Sequence, residues 1–421
     1  MNKRNRFFLL LTVFWMCCIL GGCGKVNRQE TTITLIHAWG GTEKDHAAMR
    51  QIYEDFQKQN PDIKLQMISM PTREDMLRKV EDMIMVGDIP DIISFSGIGE
   101  NSTYKFMLDN QMALDIQPYI EQNPEFANNI SAVNKAYWTT ADGHLYTVSD
   151  ALLLSGGYWY NEDILEAAGI QDLPRNWTEF QGMCSKIGEW ALKEQSGVKA
   201  LQPSAEGYLY FMDHLLIGSD RAEFQNDKLR FHGEIFSEAV EQMKKIYNSS
   251  IPENLDYSYR DETQLFNEGK LAIYVNGVWG APMISSDIHA SYALLPSNSG
   301  KTMSCESSSL GYVLGNRGDE EREKAAIQFL TYMLSEEVQT RILEKTEQIP
   351  ANPNISLDRY KETKSRLYQG ASLVMNAEVK TEVPDNLWTA AQKNYFKETI
   401  FEVLSGKTSA KEFEHNIRKY Q

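Results

Sequence analysis

Seven histidines, five cysteines and 58 acidic side chains are the groups in this 421-residue chain with which chemistry could be done. The histidines stand at 37, 46, 144, 214, 232, 289 and 415, and no pair has metal-ligand spacing with a third partner. His37 to His46 encloses a glutamate but not two histidines one helical turn apart, which a zincin site requires. There is no Gly-x-Ser-x-Gly and no phosphate loop. Cys184 falls in a stretch with helical spacing and has no base beside it, so a nucleophile is not indicated. A glycosidase needs two carboxylates at a set separation, and in so acidic a chain sequence alone does not exclude such a pair. The expectation is no catalytic residue, no metal and no cofactor.

Aromatic residues at the ends of candidate strands carry more information. Trp39 closes a strand-like run and Phe95 closes another, while Trp279 follows Asn276-Gly277. Tyr158-Trp159-Tyr160 is a dense cluster, and Tyr208 and Tyr210 follow Pro203. Core packing is the ordinary use of such rings and is the reading favoured for Trp159, Tyr160 and Trp177. Trp39 and Trp279 differ, because each sits where a strand runs into a Gly-containing turn. In open α/β sheets, ligands bind at the carboxyl ends of the strands. A ring there, with carboxylates and amides nearby, suits a polyol: the ring stacks on C–H faces while polar groups bond the hydroxyls.

The N-terminus bears on where the chain works. Lys3, Arg4 and Arg6 precede an apolar run from Phe7 to Leu20. That run is short of the roughly 20 residues a bilayer span needs, and charged head, apolar body and small residues make a secretory leader. Leu20-Gly21-Gly22-Cys23 resembles a lipobox, in which Cys23 is diacylated and becomes the new N-terminus. An ordinary leader or a short anchor helix is the alternative. Cys17 and Cys18 would leave with the leader. Cys184 and Cys305 remain, as two free thiols or as a bridge, so the fold is no disulfide scaffold. The formal charge of −16 argues against nucleic acid, whose phosphates demand a basic face. About 400 residues after the leader suit two domains with real cores.

The elements that must position these residues follow from periodicity. A strand over 32–39, a helix over 43–60, a strand over 63–70, a helix over 73–85 and a strand over 92–95 give β-α-β-α-β, a parallel sheet covered by helices. Further on, helices are expected over 161–169, 178–194 (capped by Thr178), 236–247, 320–334 and 385–404. Strands are expected over 271–276, 291–296 and 309–315.

Several stretches, in this order, resemble the extracellular solute-binding proteins of ABC importers, family 1, the maltose-binding-like carbohydrate binders. They are Gly87-Asp-Ile-Pro-Asp91, Asp142-Gly-His-Leu-Tyr146, Tyr160-Asn161 to Gly169 with Pro174 and Asn176-Trp-Thr-Glu-Phe180, Phe266-Asn-Glu-Gly-Lys-Leu-Ala272, Val275-Asn-Gly-Val-Trp279, and Ala326–Leu334 with Ser335-Glu-Glu-Val-Gln339. The resemblance spans nearly the whole chain after the leader. It implies an α/β fold of the type II periplasmic-binding kind: two lobes, each a sheet flanked by helices, with a hinge between them. The implied division is 1–22 leader, 23–31 lipidated tether, 32–147 plus 297–350 first lobe, and 148–296 plus 351–421 second lobe. Hinge crossings are expected near Tyr146–Asp150 and near Pro296–Ser304.

The resemblance also carries a ligand site onto Trp39, Glu43, Ser94, Phe95, Ser96, Asp150, Glu206, Tyr208, Trp279, Ser307 and Ser308. The acid that many members place after the Pro-Asp strand is not evident here. Trp388 is read as helix packing. The implied role is a surface lipoprotein, held on the outer face of a cell membrane, Gram-positive by preference, through Cys23. It would bind a mono- or oligosaccharide between its lobes and hand it to ABC permease subunits, as a monomer. A surface sensor signalling to a membrane histidine kinase is the alternative, and a glycoside-active enzyme the third reading. With no Arg or Lys placed in the cleft, a neutral sugar is favoured.

Overall fold

The computed structural model describes residues 30–96, 102–218, 233–250, 257–308 and 310–420. Cys23 and the leader lie outside the described residues. The chain begins with β1 (Thr31–His37), α1 (Lys44–Gln59), β2 (Ile63–Ser69), α2 (Arg73–Met85) and β3 (Ile92–Ser96). Three short helices lie between 102 and 128, and α3 (Ala132–Trp138) leads into β4 (Thr147–Ser149). Then come β5 (Ala151–Ser155), β6 (Gly157–Asn161), α4 (Trp177–Lys193), β7 (Lys199–Leu201), α5 (Ala205–Ile217), α6 (Gly233–Ser250), α7 (Tyr259–Asn267), β8 (Leu271–Val275) and β9 (Ala290–Leu294). The last part holds β10 (Met303–Ser308), β11 (Leu310–Leu314), α8 (Glu320–Met333), α9 (Glu336–Thr346), β12 (Ile349–Pro350), α10 (Ser365–Met375), β13 (Val379–Thr381), α11 (Ala390–Leu404) and α12 (Ala410–Ile417).

Among the described residues the strands form three sheets. The first, in the order β2-β1-β3-β11-β4, has β1 parallel to both β2 and β3, the arrangement that two βαβ units produce. β11 closes it antiparallel to β3 and β4. The second lobe is built on β7-β8-β6-β9. Between them lies β12-β5-β10-β13. Each lobe therefore has a sheet flanked by helices, and the small middle sheet joins them.

The passages between lobes can be read from strand partners. β4 ends at Ser149 in the first sheet and β5 begins at Ala151 in the middle sheet, so Asp150 is the single residue between. On the return, β9 pairs in the second-lobe sheet, β10 in the middle sheet and β11 in the first sheet, so the chain enters the middle sheet after Leu294 and leaves it past Ser308. The 296–304 loop expected from sequence therefore spans the first step of the return, from the second-lobe sheet into the middle sheet, and not the second step past Ser308. The third passage follows α9, where Ile349 and Pro350 pair with β5.

The helices bury the faces their spacing dictates. α1 places Met49, Ile52, Tyr53 and Phe56 in the first core, each worth about 1.5–3 kcal/mol of apolar burial. Asp91 of the Pro-Asp stretch is buried and structural: it accepts from the Thr34 N–H at 2.7 Å and from Arg322 Nε on α8 at 2.8 Å. α4 starts earlier than expected. Its cap is Asn176, whose side chain accepts from the Glu179 N–H at 2.9 Å, while Thr178 is already inside the helix. Cys184 and Cys305 are buried, unbridged thiols.

Candidate functional site

The first wall starts at the carboxyl end of β1. His37 is buried, and its Nδ1 accepts the Trp39 N–H at 3.0 Å. Its Nε2 therefore carries the proton and meets Ser69 Oγ at 3.0 Å. Burial, with Arg50 and His46 nearby, holds the imidazole down to about 4, so it is neutral. Arg50 reaches back from α1 to the carbonyls of Trp39 and Gly41. His46 Nδ1 accepts the Gly41 N–H at 2.9 Å, and its ring stands edge-on to Trp39 with centroids 5.1 Å apart. The loop is thus wired to the first two turns of α1, with Trp39 half-buried on it and Glu43 exposed 3.6 Å from His46.

A chain of hydroxyls runs from this wall to the hinge. The Tyr53 hydroxyl is buried near Trp39 and Ser94 and lies 3.0 Å from that of Tyr312. Tyr312 in turn donates to Asp150 Oδ2 at 2.5 Å. Asp150 has no exposed surface, and its Oδ1 has no partner among the described residues. Burial pushes its carboxyl up to about 6, against the pull of Tyr312. Ser94 is also buried. Asp150 and Ser94 therefore support the wall from behind. Phe95 and Ser96 close β3, paired in register with Gly311 and Leu310.

The second wall is built on Trp279. This indole is half-buried in a 3₁₀ turn (Val278–Met283) and lies directly over Gly277, where a Cβ would come within 2.0 Å of the ring. Its edge partner is Tyr210, at 5.5 Å and 75°. The Tyr210 hydroxyl donates to Glu206 at 3.3 Å, and Glu206 pairs with Lys397 of α11 at 3.2 Å. The resemblance carried both Glu206 and Tyr208 into the ligand site. The helix separates them: Glu206 and Tyr210 are one turn apart on a shared face, whereas Tyr208 is 1% exposed and packs edge-on against Phe401 in the core.

Ser307 and Ser308 are likewise buried. Ser308 Oγ accepts from Trp138 Nε1 at 2.8 Å and lies 3.3 Å from Asn134 Oδ1, so it ties β10 to α3 of the first lobe. Trp388 is core, beside Phe236 and Phe396.

Further groups were not singled out as site residues from sequence, among them Tyr137, Asp213 and Asp385. Tyr137 of α3 faces Glu306, Lys380 and Glu382 across a groove of about 270 Å³. Asp385 sits where its charge reaches both Tyr137 of the first lobe and Tyr210 of the second. Asp385 pairs with Lys393 at 2.8 Å, and its N–H donates to Asp213 Oδ1 at 2.8 Å. Burial, then the charge of Asp385, pushes the Asp213 carboxyl far above the usual range. Glu206, Tyr210 and Asp213 recur at helical spacing, which was the available signal. A larger groove of about 840 Å³ is lined chiefly by α6 and α12, with Trp177, Leu215 and Asn298.

Among the described residues no cluster of three His, Cys, Asp or Glu could hold a metal, and no helix is long and apolar enough to cross a membrane. What the arrangement offers is two braced, half-buried indoles, one per lobe, with hydroxyls, carboxylates and lysines beside them.

A family model described as bacterial extracellular solute-binding protein matches residues 51–366. A putative ABC transporter periplasmic-binding protein, YcjN, of Escherichia coli K12 is 22% identical over 337 residues, which cover 77% of this chain and 74% of that protein. A multiple sugar-binding protein of Streptococcus mutans is 22% identical over 312 residues, 68% of this chain and 67% of that protein. Among solved structures, a Streptococcus pneumoniae solute-binding protein in complex with the blood group A-trisaccharide superimposes with a TM-score of 0.77 at 20% identity, covering 92% of this chain and 98% of that one.

Proposed function

The chain belongs to the bacterial extracellular solute-binding proteins, and from that premise we propose that it captures a carbohydrate between its two lobes for an ABC importer. The observation that carries this reading is the pair of indoles, Trp39 and Trp279, one on each lobe. Each is half-buried and held by an edge-on ring. An indole face stacks on the C–H face of a pyranose, while Glu43, Glu206, Tyr210 and Tyr137 supply partners for hydroxyls. Lysines in this region are already paired with carboxylates, which favours a neutral saccharide over an anionic one.

The mechanism is closure. A ligand that touches both walls has higher affinity for the closed arrangement and shifts the population toward it. In this proposal Asp150, Ser307 and Ser308 serve the hinge, Trp39, Glu43 and Trp279 meet the sugar, and Phe95 and Ser96 border the first wall. Diacylated Cys23 tethers the chain to the outer face of the cell membrane, two acyl chains sufficing where one would not. The closed form then meets permease subunits.

The test is a thermal-shift screen of the chain from Lys25 onward against sugars, uronates, polyols and sugar phosphates. Ligand at a hundredfold excess over Kd adds about 2.7 kcal/mol to the native state. A shift with neutral saccharides supports the reading. No shift with any carbohydrate sinks it, and sensing of another solute becomes the better account.

A further inference from the structure

Glu262 is a fully buried acid, and among the described residues no cation pairs with it. Burying such a group without good partners is costly, so what it bonds to is informative. It lies on α7, whose first turn is locked by a reciprocal cap between Ser258 and Asp261. Its Oε2 accepts the backbone N–H of Ser204 at 2.9 Å and the Ser204 hydroxyl at 2.8 Å. Ser204 is the N-cap of α5, where its Oγ accepts the Gly207 N–H at 3.1 Å. One carboxyl oxygen thus fixes the residue that launches the helix bearing Glu206 and Tyr210. A Cβ at Gly207 would come within 2.8 Å of the same oxygen and 3.0 Å of Pro203 Cβ, so glycine lets the acid approach.

The same helix also supports the indole. Tyr259 shares a face with Glu262. Its hydroxyl accepts Asn276 Nδ2 at 2.8 Å and sits beside the Trp279 side chain. One capped helix therefore touches both halves of the second wall.

We propose that Glu262 is a positioning residue for the ligand site, acting through Ser204 to hold Glu206 in place and Tyr210 against Trp279. This rests on the reading of that wall as a carbohydrate-contact surface. The Glu262 carboxyl is pushed up to about 8 by burial, so at neutral pH it is protonated. Oε2 then accepts both bonds, and Oε1, which has no partner among the described residues, carries the proton. The titratable groups facing it are Tyr208 on α5, Tyr274 on β8 and Tyr259 on its own helix. A glutamine reproduces this arrangement; an alanine removes it.

The experiment compares wild type, Glu262→Gln, Glu262→Ala and Ser204→Ala, each from Lys25 onward. Without ligand, amide exchange at Gly207 and Tyr208 should speed up by about tenfold or more in Glu262→Ala and Ser204→Ala and stay at the wild-type rate in Glu262→Gln. With the saccharide that shifts melting most, Glu262→Ala should bind about tenfold or more weakly, with Glu262→Gln close to wild type at pH 7. The folded acid holds a proton that the unfolded chain releases, so wild-type stability should fall as pH rises from about 4.5 to about 8. Glu262→Gln should lack that component. Equal exchange and affinity in Glu262→Ala, or a glutamine variant as damaged as the alanine one, overturns the proposal. If Glu262→Ala does not fold, Ser204→Ala decides by the same two readouts. If wild type binds no saccharide, the functional reading fails, while the exchange measurement still judges the clamp.

Discussion

Trp279 and Tyr208 show how little separates a ligand-facing ring from a core ring in sequence, and how differently they should respond to substitution. Trp279 is half-buried, stands against Tyr210 and covers a glycine. Trp279→Ala should weaken saccharide binding by about tenfold or more, roughly 1.4 kcal/mol, with little change in melting temperature; calorimetric titration and thermal melting check this. Tyr208 is enclosed, and its hydroxyl has no partner among the described residues. Tyr208→Phe should therefore leave affinity unchanged and hold or raise the melting temperature, whereas Tyr208→Ala should cost about 3–5 kcal/mol of stability. Asp150 gives a pH signature. Its folded value is raised to about 6, against about 3.9 when unfolded, so stability is fully present below pH ~4 and is lost as pH rises to ~6. Asp150→Asn should remove that slope, on the order of 2–3 kcal/mol, when denaturation midpoints are compared between pH 4 and 7.

At the scale of elements, the turn between β5 and β6 joins the middle sheet to the second lobe, and Gly156 makes it possible. Its φ is +107°, and a Cβ there would lie 2.9 Å from Ser304 Cα. Gly156→Ala should cost about 1–3 kcal/mol, seen as a lowered melting temperature, and should disturb the pairing of β5 with β10. Elements with one clear apolar face were legible in sequence: α2 was expected at 73–85 and is found there, because its polar and apolar residues alternate with helical spacing. α5 was not assigned as a helix. From Leu209 to Ile217 it is buried on nearly every side, so its apolar residues mark no single face. That gap let Tyr208 stand beside Glu206 on paper. The second step of the return, past Ser308, was not legible for a different reason: β10 and β11 are adjacent in sequence but belong to different sheets, and only their partners tell them apart. The Asp213–Asp385 pair joins residues 172 positions apart, which no local pattern encodes.

Across the whole molecule, the middle sheet is the device on which the account turns. Three strand passages run through it, and the hydroxyl chain from Tyr53 through Tyr312 to Asp150 links the first wall to the first of them. The second wall is tied through Glu206 and Lys397 to α11, and Asp385 lies between the two lobes. A saccharide that bridges Trp39 and Trp279 should draw these bodies together. Small-angle scattering of the chain from Lys25 onward, with and without the saccharide that stabilises it most, measures this directly. Closure by a bridging saccharide predicts a smaller radius of gyration with ligand, lost when both Trp39 and Trp279 are replaced by alanine. An unchanged radius at saturation, or undiminished closure in the double variant, would contradict it.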